Sequence, residues 1–223
     1  MILGKFVVTA AIAYLLGAIP FALIVSKRMG GVDISKHGSG NIGGTNVLRV
    51  VGKKAGVIAI VLDVSKAVVA VTLARLVIGD SVLLVAGFPF NWQVGQVIAA
   101  LMVMVGHDWS VYVGFRGGKG VAAYYGSWLA MCPGAALFGG VIILFTILAT
   151  KYMSVGSMLG ALGILCLFMV VTVVAEFDVV YSVYLVYSLV TAGLIVYQHR
   201  SNIGRLRSGT ELRLGQPHER VDP

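Results

Sequence analysis

Residues 121–149 read V-A-A-Y-Y-G-S-W-L-A-M-C-P-G-A-A-L-F-G-G-V-I-I-L-F-T-I-L-A, and the number of times this run crosses a bilayer decides the topology of the whole chain. A helix needs about 20 apolar residues to span hydrocarbon. Pro133 and Gly134 split the run into two pieces below that length, which leaves two short spans, a re-entrant hairpin or one long broken span. The flanking charges choose between even and odd. With two passes or a hairpin, Lys27, Arg28, Lys36, Arg49, Lys53, Lys54, Arg116, Lys119, Lys151 and the Arg-rich segment 200–220 share one side, while Lys5 and Arg75 lie near the other with Asp80, Glu176 and Asp178. A single pass would send the Arg-rich segment outside, against the preference of Lys and Arg for the cytoplasm. The chain therefore reads as an all-α polytopic membrane protein of about seven transmembrane helices, N-terminus out and C-terminus in.

Composition agrees with a membrane location. Of 223 residues 58% are hydrophobic and 12% charged, and the mean hydropathy is +0.94, too apolar for a soluble domain of this length. The net charge of +8 comes from 17 basic residues against nine carboxylates. In such a protein this balance marks cytoplasmic loops, lipid headgroups or anionic substrates, and no basic and aromatic platform for nucleic acid is visible. Cys132 and Cys166 have no His or second Cys at ligand spacing, so neither a disulfide framework nor a metal site is expected. The first apolar segment, 6–25, is too long for a signal peptide, and its basic residues, Lys27 and Arg28, follow it. Further apolar runs cover 56–78, 92–106, 155–175 and 179–197. No internal repeat appears, so residues 1–215 are taken as one domain and 216–223 as a disordered tail.

Three polar segments on the expected cytoplasmic side, 26–54, 106–119 and 199 onward, with a small fourth at 151–157, mix Gly with Ser, Asn, His and Arg. The densest is G-F-R-G-G-K-G-V-A-A-Y-Y at 114–125. Gly117, Gly118 and Gly120 would let backbone N–H groups approach an anion beside Arg116 and Lys119, at the positive end of a helix opened by Val121. An ordinary turn with topology-setting charges explains the same residues about as well. The nucleotide P-loop pattern fails here, since it would need Gly at Val113 and Ser or Thr at Gly120.

Three motifs in order, G-S-G-N-I-G-G-T-N-V-L-R at 38–49 followed by Asp63 and Lys66, G-H-D-W-S-V-Y-V-G-F-R-G-G-K-G-V-A at 106–122, and H-R-S-N-I-G-R-L-R-S-G-T-E at 199–211, resemble the bacterial glycerol-3-phosphate acyltransferases that use acyl phosphate as donor. The resemblance runs over about residues 5–214. Gly44 stands where the family commonly has Ala, Ser110 where Pro is usual, and Ala123 where Thr is common. The resemblance implies transfer of a fatty acyl group from acyl phosphate to the sn-1 hydroxyl of glycerol 3-phosphate, giving lysophosphatidic acid and phosphate. It also implies a multi-pass protein of the bacterial cytoplasmic (inner) membrane whose three motif loops form one cytoplasmic site. Expected partners are glycerol 3-phosphate, acyl phosphate, membrane lipids and the soluble enzyme that makes acyl phosphate. No cofactor or metal is expected, because the donor already carries its leaving group.

Holding two phosphates calls for several cations and backbone donors. In the first motif Ser39, Thr45, Asn46 and Arg49 could ring a phosphate, with Gly38, Gly40, Gly43 and Gly44 freeing backbone N–H groups. A Gly/Asn-rich turn capped by Ser39 is the alternative, and the resemblance favours substrate binding, Ser39 and Arg49 foremost. Lys119 is the main cation and Arg116 a secondary one. His199 and Asn202, three apart, would share a helical face and orient the nucleophilic hydroxyl. The proton acceptor is His199 or the donor's own phosphate, the resemblance leaning to the second. Ser154 and Ser157 could cap a helix or donate to phosphate. Arg205 is placed with the phosphate-binding residues, while Arg207 and Arg213 remain topology or headgroup charges. Asp63, Lys66, His107 and Glu211 are expected to support the site structurally, the first two as an intramembrane pair.

Two other function classes were weighed. Acyltransferases using acyl-CoA or acyl carrier protein typically carry H-x-x-x-x-D, and none of His37, His107, His199 or His218 has Asp five residues on. A transporter of a phosphorylated metabolite would place polar groups at mid-membrane within inverted repeats, whereas the polar residues here gather in segments assigned to one face.

Overall fold

The protein is described by a computed structural model that covers residues 2–215; the tail 216–223 lies outside the described residues. The chain forms two compact units, one ending at Ser127 and the other starting at Trp128. The first holds α1 (Ile2–Ala18), α2 (Phe21–Gly30), α3 (Gly44–Val50), α4 (Lys53–Ile78), strands β1 (Leu83–Val85) and β2 (Phe88–Phe90), α5 (Trp92–Asp108) and the start of α6 (Val121–Met131). The second holds α7 (Pro133–Thr150), α8 (Met153–Val174), α9 (Val179–Gln198) and α10 (Arg200–Arg207).

The apolar segment expected over 6–25 is interrupted. Pro20 has no N–H to donate to Leu16 and its ring crowds the preceding turn, so α1 stops at Ala18 and α2 restarts at Phe21. The freed carbonyls find other donors: Ile19 O accepts from Phe21 N at 3.0 Å and from Lys66 Nζ at 2.9 Å, and Ala18 O accepts from Ser110 Oγ at 2.5 Å. Helices α1 and α5 pack without intervening side chains. A Cβ on Gly17 would run into the Val103 backbone and one on Gly106 into Tyr14 O and Ala18 N, the small-residue contact that lets membrane helices approach closely. Tyr14 Oη closes this seam on Trp109 O at 3.0 Å.

Strands β1 and β2 are the departure from an all-helical chain. Leu83 pairs with Phe90 and Val85 with Phe88 across Ala86 and Gly87, both at positive φ (51° and 82°), as a two-residue hairpin turn requires. The run L-L-V-A-G-F-P-F is too short and too rich in aromatics to signal a helix, yet it also falls below the length at which alternation is legible. Asn91 then caps α5, its Oδ1 accepting from Gln93 N at 3.1 Å and Val94 N at 3.2 Å.

In the second unit Trp128, fully buried, stacks on Phe168 with centroids 4.7 Å apart and meets Tyr184 and Tyr187 edge-on at 5.8 and 5.1 Å. Outward-facing Leu137, Phe145, Val170 and Val174 are exposed, an apolar surface suited to lipid rather than water.

Among the described residues five stretches are long and apolar enough to cross a membrane: Ile2–Gly30, Lys53–Ile78, Pro133–Thr150, Met153–Val174 and Val179–Gln198. Residues 121–149 form two helices broken at Cys132, with Pro133 at the first turn of α7. Helix α5 has 17 residues and α6 has 11, so α6 rises only about 16 Å.

Gly17→Ala is expected to lower the detergent melting temperature, because a methyl driven into the Val103 backbone costs about 1–3 kcal/mol, more than the helix propensity it adds. Gly4→Ala, with open space at Cβ, should be neutral or slightly stabilising. Equal melting temperatures for the two variants would contradict the close α1–α5 packing.

Candidate active site

The first unit carries a charge cluster inside its helical core. Asp63 and Lys66 lie one turn apart on α4 with Nζ 2.7 Å from Oδ1. The same Nζ reaches Ile19 O at 2.9 Å and His107 Nδ1 at 3.1 Å, and His107 Nδ1 is 3.4 Å from Asp63 Oδ1. All three side chains are buried, so each charge depends on the others for solvation.

Helix α5 delivers His107 to the glycine-rich loop. Gly118 N donates to His107 O at 3.0 Å, and Gly117 O accepts from Ile42 N at 3.3 Å, which joins the first two motifs. Ser110 closes the intervening turn through Ser110 N to Arg116 O at 3.3 Å and Phe115 N to Ser110 O at 2.8 Å. A Cβ on Gly117 would meet His107 O, and one on Gly118 would meet His107 Nε2. These two glycines therefore serve the close approach of the loop to α5, and the Gly118 amide is already engaged by protein. Gly120, at φ +73°, opens α6 and accepts from Tyr124 N at 2.7 Å. Lys119 is half-buried, whereas Arg116 is exposed.

The first motif is stitched by Asn46. Its Nδ2 lies 3.2, 3.0 and 3.1 Å from the carbonyls of Ile34, His37 and Asn41, and its Oδ1 accepts from Ser39 N at 3.1 Å. A side chain so engaged shapes the loop. Gly43 caps α3, Ser39 is exposed, and Thr45 and Arg49 are half-buried. Upstream, hydrogen bonds from the Ser35 hydroxyl and amide, aided by Lys27 and Lys36, hold the Asp33 carboxyl below its ordinary range.

In the second unit the centre is Glu211. Its Oε1 accepts from Ser154 Oγ at 2.8 Å and Asn202 Nδ2 at 2.6 Å, and its Oε2 from Arg205 Nε at 2.7 Å. Leu214 N to Lys151 O at 2.7 Å and Arg213 Nε to Tyr152 Oη at 3.1 Å strap the segment after α10 to the turn between α7 and α8. Ser157 Oγ turns back onto Met153 O at 2.9 Å. His199 is the joint between α9 and α10, with Nδ1 2.7 Å from Ile195 O. A carbonyl only accepts, so Nδ1 carries a proton.

A family-wide sequence profile described as glycerol-3-phosphate acyltransferase matches residues 7–209. The chain belongs to the glycerol-3-phosphate acyltransferase family. It is 39% identical to glycerol-3-phosphate acyltransferase 3 of Dehalococcoides mccartyi (strain ATCC BAA-2266 / KCTC 15142 / 195), over 97% of this chain and 99% of that protein. It is 40% identical to the glycerol-3-phosphate acyltransferase of Clostridioides difficile (strain 630), over 96% and 98%. A crystal structure of PlsY (YgiH), an integral membrane glycerol 3-phosphate acyltransferase, in its glycerol 3-phosphate form superposes with a TM-score of 0.79 at 34% identity, covering 94% of this chain and 96% of that one. The lysophosphatidic acid form gives a TM-score of 0.77 at the same identity, covering 94% and 95%.

Within this family member the motif residues fall into two polar centres. Asp63, Lys66, His107 and Gly118 meet in the first unit, as do Ser39 and Asn46. Ser154, Asn202, Arg205 and Glu211 meet in the second. Sequence gives Asp108 no role and marks Ser110 only as a departure from the family pattern. Asp108 is buried at the end of α5, its Oδ2 3.2 Å from where a Gly120 Cβ would sit, and a lone carboxylate ending a mostly apolar helix was the available signal.

Burial alone would raise the Glu211 carboxyl, but hydrogen bonds from Asn202, Ser154 and Arg205 outweigh it and leave the group below its ordinary value. A carboxyl lowered by folding stabilises the fold above its unfolded value and loses that contribution as pH falls through the folded value. Melting followed from pH 7 to 3 should therefore decline below the usual carboxylate range, with Glu211→Gln less stable at pH 7 and flatter in that window. An unchanged slope in the variant would refute the role given to this carboxylate.

Proposed function

We propose that this protein transfers a fatty acyl group from acyl phosphate to the sn-1 hydroxyl of glycerol 3-phosphate, giving 1-acyl-glycerol 3-phosphate and phosphate. The observation that carries it is the match, over 94% of the chain, to an acyltransferase solved in glycerol 3-phosphate and lysophosphatidic acid forms. Both substrates are phosphates, and the motifs supply cations and hydroxyls suited to them. Lys119 and Arg49 bind phosphate oxygens, with Ser39, Thr45, Arg116 and the backbone about Gly43, Gly117 and Gly120 completing the phosphate contacts. Ser154, Ser157 and Arg205 are assigned to substrate phosphate as well. Asn46 adds support by shaping its loop.

The hydroxyl oxygen attacks the acyl carbonyl carbon. The bond from that carbon to the phosphate oxygen breaks, and phosphate leaves with the electron pair. The hydroxyl proton goes to an oxygen of the leaving phosphate, the route the family resemblance favours, while His199 and Asn202 orient glycerol 3-phosphate. The contact of His199 Nδ1 with Ile195 O fixes the ring at the joint between α9 and α10, which suits a residue that orients a hydroxyl. The acyl chain stays in lipid, and the soluble enzyme that makes acyl phosphate delivers it at the cytoplasmic face.

The membrane is the bacterial cytoplasmic membrane, crossed seven times with the N-terminus outside. Adding α5 and α6 to the five long stretches puts the basic segments on the cytoplasmic side, as the distribution of Lys and Arg favours.

Purified protein assayed with acyl phosphate, acyl-CoA and acyl carrier protein as donors to glycerol 3-phosphate tests the reaction. Turnover is expected with acyl phosphate alone. Lys119→Ala and Arg49→Ala should each fall about 100-fold or more, since a lost charge-assisted contact to phosphate costs about 3 kcal/mol. The exposed Arg207→Ala should lose a few-fold at most. Wild-type rates in correctly inserted Lys119→Ala and Arg49→Ala proteins would end the phosphate assignment.

For topology, cysteines replacing Ser39 and Ser208 should react with an impermeant thiol reagent only from the cytoplasmic side, and one replacing Asp80 only from outside. Opposite labelling of the first two would exclude seven spans.

A further inference from the structure

His107 is held by one ring nitrogen, and the other faces the glycine-rich loop. Nδ1 lies 3.1 Å from Lys66 Nζ. Lys66 in turn sits 2.7 Å from Asp63 Oδ1, a contact that keeps it as an ammonium, which has donors and no lone pair. Nδ1 must therefore accept, and the ring proton resides on Nε2. The alternative donor contact, Nδ1 to Asp63 Oδ1, is longer at 3.4 Å.

Nε2 has no hydrogen-bond partner among the described residues, although His107 is only 7% exposed. The atom occupies the place where a Gly118 Cβ would be built, next in sequence to Lys119. The ring's orientation is fixed from behind by Lys66 and Asp63 and by the Gly118 amide bound to His107 O at 3.0 Å.

We propose that His107 is a further substrate-binding residue: Lys66 and Asp63 lock its imidazole with the proton on Nε2, and that N–H donates to a phosphoryl oxygen held at the Gly117–Gly118–Lys119 turn. This rests on the acyltransferase reading above and deepens it by adding a neutral donor beside the cation. The absence of a side chain at Gly118 then has a second purpose, because any Cβ would cover the donor. The phosphoryl group is that of glycerol 3-phosphate or of the acyl donor, and kinetics for each substrate separate the two.

The test uses the different positions of amide nitrogens. The Gln side chain places its NH2 near the position of imidazole Nε2, and Asn places its own near Nδ1. In the purified full-length protein, His107→Gln is expected to keep KM for both substrates within about 3-fold. His107→Asn should raise KM for one substrate at least 10-fold, with kcat changed less; the substrate affected is the one bound. A second readout does not need turnover. In protein labelled with 15N-histidine, the His107 resonances, assigned by their loss in His107→Gln, should show a protonated Nε2 that shifts on titration with glycerol 3-phosphate or inorganic phosphate, and a tautomer change in Lys66→Met.

Wild-type KM values in folded His107→Asn, equal losses in both variants, or a His107 signal indifferent to both phosphates would each overturn the proposal. If wild-type protein fails to turn over acyl phosphate while the His107 signal still responds to phosphate, the reaction assignment falls and this binding role stands. If turnover is normal and the signal is silent, the reverse holds.

Discussion

A lysine ammonium in the middle of an apolar helix is tolerated only where other groups replace its water, and Lys66 meets that requirement by drawing three pieces of chain together. Its contacts to Asp63, Ile19 O and His107 bind one face of α4 to the break between α1 and α2 and to the end of α5. The break needs a donor because Pro20 ends one helix and leaves carbonyls exposed in a dry interior. The cation sits at the negative end of α1, where it is also favoured by the helix dipole. Replacing Lys66 by an apolar residue would leave Asp63 charged with only a histidine beside it and Ile19 O with one donor fewer. Removing one member of such a cluster is far worse than never having built it.

The glycines show how a correct motif can have a different local cause. Sequence suggests that Gly117, Gly118 and Gly120 bare their amides for an anion, yet Gly118 donates to His107 O, and Gly117 and Gly118 are small because α5 lies against them. Close backbone approach is legible in a glycine only as a possibility, since the partner that forbids a Cβ comes from a distant part of the chain. Here it is a residue ten or eleven positions back, across the turn pinned by Ser110. That Ser110 stands where the family usually has Pro makes the same point. Its hydroxyl caps Ala18 O, a contact that no local pattern announces.

Most of the helical plan was legible because apolar run length and charge placement are local quantities. The runs at 56–78, 155–175 and 179–197 correspond closely to α4, α8 and α9. The break at Pro20 was written in the sequence but outweighed by the hydropathy around it. The β1–β2 hairpin escaped because strands of three residues carry no measurable period. Asn46 looked like a phosphate ligand because Asn and Gly signal both turns and anion sites, and only its four backbone partners separate the two.

Glu211 illustrates the limit of reading side chains one at a time. Asn202, Arg205 and Ser154 each suit a phosphate or hydroxyl when considered singly, and all three hydrogen-bond the same carboxylate. A buried acid with three donors is a satisfied hub, and the geometry it imposes is what holds the Asn202 amide and the Ser154 hydroxyl in fixed directions. The carboxylate also offsets the positive charge of Arg205, its ion-pair partner at 2.7 Å. In the proposed reaction this leaves Lys119 and Arg49 as the cations assigned to two phosphates and His199 and Asn202 as the groups assigned to direct the hydroxyl, a division in which charge binds and the remaining donors and acceptors aim.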